Sequence, residues 1–95
     1  MGKEAQSIGD ALRKFLRQEG LETPLNEHRL IAAWPEAVGR TVAERSKAVA
    51  IRGGVLHVQV TSAPLRNSLV YNRSILVERL NAAVGAHVID DITFH

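Results

Sequence analysis

Apolar residues recur at helical spacing near the start of the chain. Ile8, Leu12, Phe15 and Leu16 share one helical face, with Arg13, Lys14 and Arg17 on the other. Ser7 suits an N-cap, and Asp10 follows at the third helical position, where a carboxylate favours the positive end of the helix dipole. Gly20 is a natural stop. The expected helix therefore covers about residues 7–19, preceded by a flexible lead-in at 1–6, and residues 21–24 read as a connector. A second helical stretch is expected over about 25–33. Trp34-Pro35 should interrupt it, because the residue before proline is pushed out of helical geometry. Pro35 can then open a further segment toward Glu44, with Gly39 permitting a bend inside it.

The period then changes from helical to alternating. Residues 47–52 and 55–61 flank Gly53-Gly54, a two-residue loop suited to a primed hairpin turn. That loop sets Arg52 opposite Val55, Ile51 opposite Leu56, Ala50 opposite His57 and Val49 opposite Val58. One face then carries Val49, Ile51, Leu56, Val58 and Val60 and should be core. The other carries Ala48, Ala50, Arg52, Val55, His57 and Gln59 and should meet solvent or a partner. Ser62-Ala63-Pro64 opens the longest expected helix, which runs to about residue 84 and ends at Gly85. Its main stripe is Leu65, Leu69, Leu76, Leu80 and Ala83. A second line of Val70, Val77 and Val84 runs beside Arg66 and Arg73, and it suits either internal packing or a partner. Residues 87–94 read as a last strand, with Asp90-Asp91 marking a bulge or an edge. The order is helix, kinked helix, strand, strand, helix, strand. The expected fold is a small α+β domain whose three-stranded sheet is covered by helices on one face.

At 95 residues the chain has room for one domain, expected over 7–95. Hydrophobic types make up 45% and charged types 23%, which is globular rather than disordered composition. The absence of cysteine excludes disulfides and thiolate metal sites. No apolar run approaches the roughly 20 residues that span a bilayer, and the polar start does not read as a signal peptide. A soluble, cytoplasmic protein without membrane contact is the expectation.

The net charge of +2 is unevenly spread. Residues 39–79 hold Arg40, Arg45, Lys47, Arg52, Arg66, Arg73 and Arg79 against only Glu44 and Glu78. Arginine's planar fork suits phosphate, so Arg40, Arg45, Lys47, Arg52, Arg66 and Arg73 are candidates for nucleic-acid contact; the competing account is a solvated basic surface. The four histidines lack metal-ligand spacing. His87, Asp90, Asp91 and His95 fall on alternating faces of the expected strand, so they do not make a metal site. There is no nucleophile elbow and no phosphate loop. No catalytic residue, cofactor, metal or small-molecule substrate is therefore expected. Among the few aromatics, Phe15 and Phe94 read as core, Trp34 as a packing anchor, and Tyr71 as an exposed ring. Val70, Val77 and Tyr71 are the candidates for contact with a protein partner.

Several stretches carry a family resemblance. They are Ile31-Ala32-Ala33-Trp34-Pro35-Glu36-Ala37-Val38-Gly39, Ile51-Arg52-Gly53-Gly54-Val55-Leu56-His57-Val58-Gln59-Val60-Thr61-Ser62, Leu80-Asn81-Ala82-Ala83-Val84-Gly85 and Ile89-Asp90-Asp91-Ile92-Thr93-Phe94. Together they resemble the DciA-type family of bacterial proteins over about residues 7–95. The resemblance implies a KH-like module that works with the replicative helicase of the DnaB type. It also implies help in loading that helicase on single-stranded DNA, with weak auxiliary nucleic-acid binding. The family has no known catalytic residues to carry over. The Gly-x-x-Gly clamp of true KH domains is missing here. Many members also have a basic extension past the point that corresponds to His95. A stand-alone KH-like RNA- or DNA-binding domain without a helicase role is the alternative.

Overall fold

The computed structural model describes residues 2–18 and 22–95, with side chains from Ile8 onward. The first helix, α1, spans Gly2–Gln18, so it starts ahead of Ser7, which lies inside it. The expected stop at Gly20 lies outside the described residues. The apolar stripe of α1 is largely exposed: Ile8, Leu12 and Phe15 keep 71%, 57% and 53% of their surface. Phe15 is therefore not a core residue, since the core closes over the sheet with later helices.

Helix α2, Glu22–Val38, runs straight through Trp34-Pro35. Proline removes one intrahelical hydrogen bond. Burial of Leu30 and Trp34 on the adjoining turns offsets that loss and holds the segment helical. The interruption falls instead at Gly39, whose φ of 87° only glycine adopts easily. The short helix α3, Arg40–Ala43, follows it. Trp34 still acts as the anchor. It is 2% exposed and 6.5 Å from the Phe94 ring, and its indole N–H donates to Ser46 Oγ at 3.0 Å. The Ser46 hydroxyl donates in turn to the Val42 carbonyl at 2.7 Å, tying α2, α3 and the first strand together.

Strands β1, Ser46–Arg52, and β2, Val55–Val60, form the expected antiparallel hairpin. Gly53 and Gly54 both have positive φ, 57° and 76°, as a type I′ turn requires. Arg52 pairs with Val55, Ile51 with Leu56 and Ala50 with His57, as the turn dictates. The register then shifts, and Val58 faces Ala48 rather than Val49. Val49 is the extra residue of a β-bulge. A bulge reverses the alternation beyond it, so Ala48 is buried while Val49 is 45% exposed, the opposite of the expected faces. Leu56, Val58 and Val60 face the core as expected.

The expected long helix is two, α4 at Ala63–Tyr71 and α5 at Arg73–Val84. Ser62 caps α4 through its side chain, which accepts from the Leu65 N–H. The division is at Asn72, which leaves helical geometry with φ −100° and ψ 15°. Its side-chain amide donates to the Ser68 carbonyl at 2.9 Å, and its backbone N–H reaches both Ser68 and Leu69. Local competition of this kind is why asparagine is a poor mid-helix residue.

The last strand, β3, is Asp91–Phe94, shorter than expected, and pairs in parallel with β2. Residues 86–90 form a loop held by Asn81. Its Oδ1 accepts from the Val88 and Ile89 N–H groups at 3.0 and 3.1 Å, and its Nδ2 donates to the Ile89 carbonyl at 2.9 Å. Within that loop, Ile89 is fully buried. The sheet order is β1-β2-β3. The protein is thus a small α+β domain, with Leu30, Trp34, Leu69, Leu76 and Leu80 packed on the sheet's core-facing side chains.

Candidate nucleic-acid interface

The sheet face turned from the core carries Lys47, Ala50 and Arg52 of β1 and His57 and Gln59 of β2. The bulge adds Val49 to it. The parallel ladder continues past β3: the His95 N–H donates to the Val58 carbonyl at 2.8 Å, and the Val60 N–H donates to the His95 carbonyl at 2.9 Å. That pairing carries the His95 ring to His57, where Nε2 of one lies 3.1 Å from Nδ1 of the other. A cavity of about 190 Å³ opens beside them, lined by Val49, Ala50, Arg52, His57, Gln59 and His95.

The six basic candidates separate into two groups. Lys47 and Arg52 lie on the open face, with Arg45 just ahead of β1, and among the described residues none of the three has an ion-pair partner. The other three are engaged elsewhere. Arg40 Nε is 3.4 Å from Glu44 on the α3 side. Arg66 donates from Nη2 to the Val60 carbonyl at 3.0 Å, and its Nε is buried without a partner. Arg73 pairs with Asp91 at 3.1 Å, with both side chains about half exposed. Because the helix divides at Asn72, Arg66 and Arg73 do not line up along one continuous helix face. The potential of this region toward phosphate comes from the unpaired cations on the sheet, where no side chain lining the cavity is acidic.

A second surface lies at the α4–α5 junction. Val70 is 45% exposed and Tyr71 91% exposed, while Val77 is half-buried and packs on the core. The structure adds Ile75, 55% exposed, which the helical stripe did not single out. Ile75 borders a groove of about 300 Å³ between α2–α3 and α4–α5, where Val38, Val42 and Leu65 meet the polar Ser68, Asn72 and Arg79. His57 was legible as an outward residue. Its partnership with His95 was not, because it depends on a parallel pairing across a two-helix crossover.

Among the described residues, no group of three or more His, Cys, Asp and Glu could hold a metal ion. His87 contacts Asp90 at 2.6 Å, while His95 sits with His57. No described helix is long and apolar enough to cross a membrane.

A family model described as "Dna[CI] antecedent, DciA" matches residues 7–94. A UPF0232 protein of Mycobacterium tuberculosis strain H37Rv is 28% identical over 87 residues, covering 92% of this chain and 46% of the relative. A UPF0232 protein of Mycobacterium ulcerans is 26% identical over 90 residues, covering 95% and 48%. A UPF0232 protein of Rhodococcus jostii is 23% identical over 90 residues, with the same coverage of 95% and 48%. The chain spans about half the length of the curated relatives it matches. With a family match across almost every residue from the first helix to the last strand, this chain belongs to the DciA family.

Proposed function

We propose that this chain is a non-catalytic accessory module that docks on a replicative DNA helicase of the DnaB type and assists its placement on single-stranded DNA. The observation that carries the reading is the family match over residues 7–94. The geometry agrees with it in two respects. Lys47 and Arg52, which have no ion-pair partner among the described residues, lie on the sheet face turned from the core, suited to weak, salt-sensitive contact with phosphates. Val70, Tyr71 and Ile75 offer exposed apolar area beside polar side chains, the composition of a protein-docking patch.

The test is recovery of helicase from lysate on the immobilised chain, with and without nuclease. Helicase retained after nuclease treatment supports direct docking. Helicase lost with the nucleic acid supports a stand-alone nucleic-acid-binding domain instead. If three phosphates are neutralised on a single strand, log affinity falls against log salt with a slope of about −2. Lys47→Gln with Arg52→Gln should flatten that slope, whereas Arg66 and Arg73, held by Val60 and Asp91, should contribute less.

A further inference from the structure

The centres of the His57 and His95 rings are 5.4 Å apart, and their planes differ by only 15°. Their facing nitrogens are 3.1 Å apart. A ring nitrogen lies about 1.1 Å from its own ring centre, so both nitrogens must lie close to the line joining the centres. That line then lies in both ring planes. The rings are therefore edge to edge in one plane, joined by an N–H···N hydrogen bond, and not face to face. Together they make a flat plate of two imidazoles standing on the open sheet face.

Both rings line the cavity, together with Val49, Ala50 and Arg52 of β1 and Gln59 of β2. At about 190 Å³ the cavity is smaller than the roughly 300 Å³ at which ligand pockets commonly begin, so it has room for one planar ring rather than a chain of them. Val49 is in the lining only because the bulge turns it outward. Gln59 brings an amide that can both donate to and accept from the edge of a heterocycle, and Arg52 brings a cation to the lining. Aromatic surface, small apolar side chains, amide and arginine are what an unstacked base of a single strand uses: stacking, a hydrogen-bonding edge and a phosphate partner.

We propose that this cavity seats one unpaired nucleobase of a single strand against the His57–His95 plate. The proposal rests on the nucleic-acid part of the reading above and adds a base-dependent contact to it. The hydrogen bond between the two rings is what makes the seat, because it holds two otherwise free side chains in one plane before any base arrives. The plate also supplies π-surface in a chain with only four Phe, Trp and Tyr residues, of which Trp34 is buried.

The test is fluorescence anisotropy with two labelled strands of equal length, oligothymidylate and an abasic backbone. The wild-type chain should bind oligothymidylate at least about fivefold more tightly, the lower end of what one stacked base contributes. His57→Ala should abolish that ratio and leave the salt slope unchanged, while His57→Phe, which keeps a ring but loses the hydrogen bond to His95, should lower it to an intermediate value, with thermal melts confirming that both variants fold. Lys47→Gln should weaken both strands equally. Equal wild-type affinity for the two strands, or a ratio that survives His57→Ala, would overturn the base seat while leaving phosphate contact standing. No binding of either strand would overturn the seat and the nucleic-acid reading together.

Discussion

Replacing Trp34 tests the packing logic of the whole domain. Its ring is buried against Phe94, and its N–H donates to Ser46, so two different losses can be separated. Trp34→Ala removes the largest side chain of the core and should cost about 3–5 kcal/mol. A domain of this size has about 5–14 kcal/mol in total, so that variant sits near the edge of folding. Trp34→Phe keeps most of the apolar ring and loses the donor; Ser46 still donates to the Val42 carbonyl. Ser46→Ala instead leaves the indole N–H buried without an acceptor, at about 1–3 kcal/mol. Once Trp34 is Phe, Ser46→Ala should cost about 1 kcal/mol less than it does in the wild type, because no donor is stranded. Urea denaturation followed by far-UV circular dichroism measures all four proteins, including those that lack the only tryptophan. If the two single losses added to within about 0.3 kcal/mol in the double variant, the Trp34–Ser46 bond would not be made in solution.

Three further outcomes follow from the geometry. A Cβ at Gly54 would sit 2.7 Å from Asp90 Oδ2 on a backbone with φ of 76°, so Gly54→Ala should destabilise by about 1–3 kcal/mol in thermal melts, and an unchanged melting temperature would refute the contact. Asn81→Ala strips three hydrogen bonds from the loop containing Ile89; it should lower stability by about 2–4 kcal/mol and speed exchange of the Val88 and Ile89 amides, and unaltered protection there would count against the clamp. Val70→Asp should change stability by less than about 1 kcal/mol at its exposed position while helicase capture falls sharply; a stable variant that captures helicase normally would remove Val70 from the interface.

Local chemistry settled much of this protein. Gly53-Gly54 specifies a tight hairpin because only glycine accepts two consecutive positive φ values cheaply, and the register nearest the turn follows from loop length alone. Ser62-Ala63-Pro64 and Gly85 mark a helical start and stop because the cap and the left-handed residue act within one turn. Tertiary structure decided what those rules leave balanced. Pro35 stayed helical because burial of Trp34 and Leu30 outweighs one missing bond. Val49 turned outward because a bulge is a property of the pairing between two strands and leaves no mark in either strand's own alternation. The candidate site shows the same division: Arg52 and His57 were readable as outward residues from their two-residue period, whereas Lys47, in phase with Val49 and Ile51 in the sequence, reaches that face only through the bulge. His95 joined them only through a parallel ladder with β2, formed after two helices separated by Asn72 return the chain to the sheet. A contact between residues that far apart depends on where the whole core closes, and no local pattern encodes it.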